Sequence, residues 1–193
     1  MWKQMMPGLR MTILLTALTG LVYPGLVTGI CQSLFPTQAN GSLIIRNGKV
    51  VGSALIGQSF SRPEYFHGRP SAAGAGGYDA LLSGGSNLGP TSQKLIDRVK
   101  TSATKLRAEQ PIAGALPSDL LTASASGLDP HVSPASARLQ VVRVAKARGA
   151  TPDDVARLVD QFTEGRDLRL LGEPRVNVLL LNLALDDKYP VKE

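Results

Sequence analysis

The chain is poor in the residues that most enzymes use for chemistry. Its 193 residues include one cysteine, two histidines and one tryptophan, and aromatic residues make up 5%. A lone Cys31 excludes an internal disulfide and a thiolate metal site. His67 and His131 stand far apart, and no carboxylate, Asp79 included, falls at a ligand spacing from them, so no metal site is predicted. The formal net charge is +6, or +4 once Lys3 and Arg10 of the N-terminal tail are set aside. That charge is mild and scattered, and no aromatic-rich basic face accompanies it, so no nucleic-acid partner is expected. A phosphate-cradling G-x-x-x-x-G-K-[ST] loop is missing too. The only Gly-Lys pair, Gly48-Lys49, is followed by Val50, and Leu43 stands where the first glycine belongs. A dinucleotide fingerprint at Gly74 and Gly76 fails because its third glycine is Asp79.

Charge is also missing locally. From Met11 to Ile45 there is no Asp, Glu, Lys, Arg or His. The run "MTILLTALTGLVYPGLVTGICQSLF", residues 11–35, is long enough to span a bilayer core of about 30 Å. Gly20, Pro24, Gly25 and Gly29 would weaken a soluble helix, and in a membrane they mark a helix packed on neighbours, with Tyr23 on the same contact. A cleaved signal peptide would need a shorter apolar core and a better site than Thr37-Gln38-Ala39. The short basic tail before the run predicts a cytoplasmic N-terminus. This reading gives residues 1–10 as a cytoplasmic tail, 11–35 as a transmembrane helix and 41–193 as one external (periplasmic) domain.

The rest of the chain reads as an α+β (mixed α/β) domain. Asn47-Gly48 predicts a type I′ hairpin turn between strands 43–46 and 49–56. Residues 59–90 form a long Gly/Ser/Pro/Ala segment, in which Tyr65, Phe66 and Tyr78 argue for order. Residues 91–110 make an amphipathic helix with Leu95, Ile96, Val99, Ala103 and Leu106 on one face. Ser133-Pro134 and Thr151-Pro152 each open a helix; these end near Gly149 and Gly165. Residues 175–185, "RVNVLLLNLAL", read as a buried strand that passes into a final helix.

Two local patterns invite a chemical reading. "LSGGS", Leu82–Ser86, could present backbone N–H groups to an anion. Ser126, Asp129 and His131 hold the residue types of a hydrolase, but there is no G-x-S-x-G elbow, and Asp129-Pro130 reads as a turn. No catalytic residue is predicted, and the profile fits an accessory subunit. The alternative is a membrane-anchored periplasmic binding module or hydrolase.

Several blocks occur in order along the chain: "YPGLVTGI", "QANGSLI", "VGSALIGQSF", "YFHGRPSAAG", "SGGSN", "TASASGLDPHVSP", "RVAKARG" and "GEPRVNVLLLNLALD". Together they cover nearly the whole sequence and resemble the C subunits of the Kdp potassium-transporting ATPases. The resemblance implies a bacterial or archaeal inner-membrane complex for high-affinity potassium uptake. It implies three partners: a channel-like potassium-binding subunit, a P-type subunit that hydrolyses ATP, and a further small membrane subunit. No tightly bound cofactor is implied, since ATP and potassium are handled by the complex. The family is described either as a catalytic chaperone raising the pump subunit's ATP affinity, with Ser83, Gly84, Gly85 and Ser86 as the nucleotide contact, or as a clamp that stabilises assembly. An external domain meets no cytoplasmic ATP, which favours the clamp. The expected subunit interface is Tyr65, Phe66, Gly84, Asn87, Ser126, Gly127, Leu128 and Asp129.

Overall fold

A computed structural model describes residues 2–109, 112 and 114–191. The chain divides after Val51 into two compact units. The first is dominated by a long helix. α1 (Trp2–Ala17) continues through a wider π-helical turn, Leu18–Val22, into α2 (Tyr23–Leu34). The widening falls just before Pro24, which has no N–H to give the ladder and crowds the preceding turn. The continuous helix Gln4–Leu34 holds an 18-residue window with a mean hydropathy of 1.8, and no residue of that window is buried. At 1.5 Å per residue it exceeds the roughly 30 Å of a hydrocarbon core, so it is a candidate membrane span that starts earlier than the charge pattern indicated. Thr12, Thr19 and Ser33 donate their hydroxyls to carbonyls four residues back, which satisfies these groups without water.

After a four-residue helix, α3 (Pro36–Ala39), β1 (Leu43–Arg46) and β2 (Lys49–Ser53) form the expected hairpin. Asn47 and Gly48 have φ of 50° and 73°, as a type I′ turn requires. β2 stops at Ser53, three residues short of the predicted strand.

Among the described residues, the second unit is built on four α-helices and a small sheet. α4 (Gln93–Glu109) buries no residue fully. α5 (Pro134–Arg148) starts on a Ser133 cap that accepts the Ser136 N–H, and stops where Gly149 turns left-handed at φ 64°. α6 (Pro152–Gln161) starts on Thr151 in the same way, with Asp153 and Asp154 at its positive end. It ends three residues before Glu164, because Thr163 and Glu164 are taken as a strand, β4. β3 (His131–Val132), β5 (Arg175–Asn177) and β4 form an antiparallel sheet in the order β3-β5-β4, with Val176 opposite both Val132 and Thr163.

The run at residues 175–185 is corrected by the structure. Only Arg175–Asn177 is strand; α7 (Val178–Lys188) follows at once. Asn177 turns the chain, its side chain accepting the Leu180 N–H. α7 is apolar on nearly all sides because it is enclosed: Val178, Leu179, Leu181, Asn182 and Leu185 are all buried. The core joins α5, α6, α7 and β5 through side chains such as Val141, Val155, Val176 and Leu181, and Phe66 from the long segment closes it.

Candidate functional site

Two Gly/Ser-rich segments that lie far apart in sequence lock together, and their contact is made of backbone. Gly84 N–H donates to the Ser126 carbonyl at 2.8 Å, and the Ser83 hydroxyl donates to the same oxygen at 3.1 Å. Gly85 passes so close to the second loop that a Cβ there would lie 2.8 Å from the Ala125 carbonyl oxygen. Gly127 has φ +70°, and a Cβ on it would meet Ala73 N at 2.7 Å and Gly84 O at 2.8 Å. These glycines are therefore needed for close approach and, at Gly127, for a left-handed backbone. Gly84 spends its donor on the neighbouring loop, so an anion nest at 83–86 would have to give that bond up. Ser86 is likewise engaged, accepting from Arg98 Nη2 at 3.2 Å.

Ser71 ties the second loop to the first. Its hydroxyl donates to the Gly127 carbonyl at 2.6 Å and accepts the Tyr78 N–H at 2.7 Å. The Tyr78 hydroxyl donates to the Arg69 carbonyl at 2.6 Å, and burial, together with the nearby Asp129 charge, pushes its pKa up to about 12. Arg69 Nη1 in turn pairs with Asp129 Oδ2 at 2.9 Å. Burial works against the Asp129 carboxylate, but hydrogen bonds from His131 and Arg69 outweigh it and hold its pKa down at about 2. His131 N–H donates to Asp129 Oδ1 at 3.0 Å, while the Ser126 hydroxyl accepts the Leu128 N–H. Ser126, Asp129 and His131 thus serve a turn, and the described hydrogen bonds hold no Ser126–His131 pair. No group of three or more metal-ligating side chains occurs among the described residues.

The expected interface residues part company here. Gly84, Ser126, Leu128 and Asp129 are brought together at the loop junction, with Asn87 exposed nearby at φ 48°. Gly127 is buried beneath them. Phe66 is corrected: it is fully buried in the core and offers no surface. Tyr65 lies under Arg148, whose guanidinium carbon is 4.7 Å from the ring centre. The membrane-helix residues Gly20, Tyr23, Pro24, Gly25 and Gly29 all lie on exposed helix, and a Cβ at any of the three glycines would meet nothing within 4 Å.

Beside the junction is a cleft of about 460 Å³, bounded by α4, α5 and residues 59–78. Its cationic walls are largely committed. Arg143 donates to the Pro63 and Tyr65 carbonyls and to Gln140. His67 is held below its ordinary pKa by burial and then by Arg143. Of the Arg69 guanidinium, Nε is buried without a partner among the described residues.

Ser71, Arg69 and Tyr78 were not anticipated as the fasteners of this junction; nothing in their local pattern shows a contact some fifty residues away. The lineage of the chain, by contrast, is unambiguous. Residues 5–187 match the family "K+-transporting ATPase, c chain". The chain belongs to that family. Relatives named potassium-transporting ATPase KdpC subunit occur in several bacteria. The one from Gemmatimonas aurantiaca is 59% identical over 186 residues, covering 96% of this chain and 94% of its own. That from Caulobacter vibrioides is 58% identical over 191 residues, covering 98% and 96%. That from Koribacter versatilis is 54% identical over 194 residues, covering 99% and 98%. Members of this family are subunits of potassium transporters, and among the described residues this chain has one helix long and apolar enough to be a candidate membrane span.

Proposed function

We propose that the chain is a non-catalytic accessory subunit that stabilises assembly of a potassium-transporting ATPase, with ATP hydrolysis carried out by a P-type subunit and potassium selected by a channel-like one. α1–α2 anchors it with the N-terminus in the cytoplasm, and the domain that follows lies outside. The observation that carries this reading is the mutual engagement of the two Gly/Ser loops, typified by the bond from Gly84 to the Ser126 carbonyl. Loops that satisfy one another make a firm protein surface, and a firm surface costs little to order on docking. An increase in the pump subunit's ATP affinity is, in this reading, coupling through the assembled complex, without nucleotide at Ser83–Ser86.

The test is topology together with assembly. Leu81 is 92% exposed in the same loop, so Leu81→Cys in a Cys31→Ser background reports which side the loop occupies. Labelling of intact cells by a membrane-impermeant thiol reagent is expected. Labelling only after permeabilisation would reverse the orientation and revive direct nucleotide contact. Gly85→Val, which drives side-chain atoms into Ala125, is expected to lower co-purification of the other subunits. Intact assembly with weakened ATP affinity would sink the docking role of the loops.

A further inference from the structure

We propose that the hairpin Arg166–Glu173 is a rigid leucine knob that seats in an apolar socket on another protein chain of the transporter. The proposal rests on the accessory-subunit reading for the existence of such a chain, and goes beyond it by assigning a second, separate contact. Asp167 and Leu171 close the hairpin, each N–H donating to the other's carbonyl at 2.9 Å. At its tip, Leu168 is 89% and Leu170 77% exposed, and Leu171 beside them is 58% exposed. Three leucines held in water on one small loop lower stability and solubility unless something covers them.

The backbone points the same way. Leu168 and Arg169 are consecutive residues at φ 52° and 62°. Such turns are normally filled by Asn-Gly, because a Cβ is crowded there, and this chain uses that pair at Asn47-Gly48. Placing Leu-Arg at 168–169 accepts strain in order to display those side chains. The base of the hairpin is braced by ion pairs: Arg166 to Glu173 at 2.7 Å, and Arg175 to Glu164 at 2.9 Å and to Asp167 at 3.3 Å.

Charge distinguishes the occupant. Arg166, Arg169 and Arg175 are balanced by Glu164, Asp167 and Glu173, so the hairpin is neutral and draws nothing from an anionic lipid surface. Arg169 alone makes no ion pair among the described residues, and it sits between the exposed leucines. A fixed, neutral, apolar shape with one cation fits a protein socket that is apolar inside and offers an acceptor at its rim.

The experiment places a photo-crosslinking amino acid at Leu170 in the full chain, expressed with the other transporter subunits in their native membrane. An adduct mapped to another subunit is expected. Leu168→Ser/Leu170→Ser is expected to lower retention of the chain in the purified complex about tenfold or more, a loss of about 1.4 kcal/mol. Val142→Ser, which removes an exposed apolar side chain on α5, is expected to leave retention unchanged. Adducts to lipid only, no adduct within an intact complex, or full retention of the double variant would each overturn the knob while leaving the accessory reading in place. A wild-type chain that co-purifies with no other subunit would remove both.

Discussion

Arg148 sits at the end of α5 with its side chain wholly enclosed. Its Nε donates to the Glu64 carbonyl at 2.8 Å, and its Nη1 reaches the Tyr189 carbonyl at 2.9 Å and Asp186 at 2.8 Å. One planar fork thus joins the long loop, α5 and the end of α7. Arg148→Ala is expected to cost about 3 kcal/mol, because buried acceptors lose a charged donor. Arg148→Lys recovers little, since an ammonium cannot span the same acceptors. Urea unfolding of the full chain in detergent, followed by circular dichroism, checks both. Asp129 gives a pH signature. Its folded pKa of about 2 lies below the ordinary 3.8, so its contribution is present above about pH 4 and is lost as pH falls towards 2. The stability gap between the native chain and Asp129→Asn is therefore expected to be constant at neutral pH and to close across that acid window. A gap that persists at pH 2 would mean that Asp129 acts through shape, with its charge irrelevant.

At the level of elements, what depends on a few neighbouring residues could be read from the sequence. The starts at Ser133-Pro134 and Thr151-Pro152 and the stop at Gly149 are local chemistry, and Thr151→Ala is expected to remove about 1 kcal/mol, read by the same unfolding assay. The expected strand at residues 175–185 ends at Asn177, a point the sequence does not mark, since a helix buried all round and a buried strand share one unbroken apolar pattern. β4 was missed because two residues become a strand only by meeting Val176 and Arg175. The glycines at 84–85 look like a nucleotide loop in sequence, and only the approach of Ala125 shows why a side chain is excluded at Gly85. Hardest to foresee is the segment at residues 63–67, a turn running into residues that join no sheet. Asn182 accepts the Phe66 N–H at 2.8 Å and donates to its carbonyl at 2.9 Å, and Gln140 does the same for His67 at 2.8 and 3.1 Å. Side chains from α7 and α5 replace the neighbouring strands. Asn182→Leu strands both backbone groups of Phe66, so we expect a loss of about 2–4 kcal/mol and much faster hydrogen exchange at that amide. Unchanged exchange would show that the segment holds itself.

For the whole molecule, the order of quoted blocks indicated the family, whereas the partner-facing surfaces lie in contacts that a single chain does not contain. The membrane helix gives one route to them. Gly25 and Gly29, four residues apart, leave a smooth strip on α2 with nothing against it, the geometry that lets a second helix come close. Gly25→Leu is expected to leave the chain helical in detergent yet to lower its co-purification with the other subunits about tenfold; equal recovery would place the helix contact elsewhere. The side-chain bracing of residues 63–67 also sets an order of events in time. A nascent chain presents Phe66 early, but the amide that completes it comes 116 residues later. Until α7 has been made, Phe66 lacks the amide that holds it, and the long loop is only partly anchored, through α5 and residues 126–127. A chain cut short before α7 would carry its anchor and most of its length, and still lack the finished external surface.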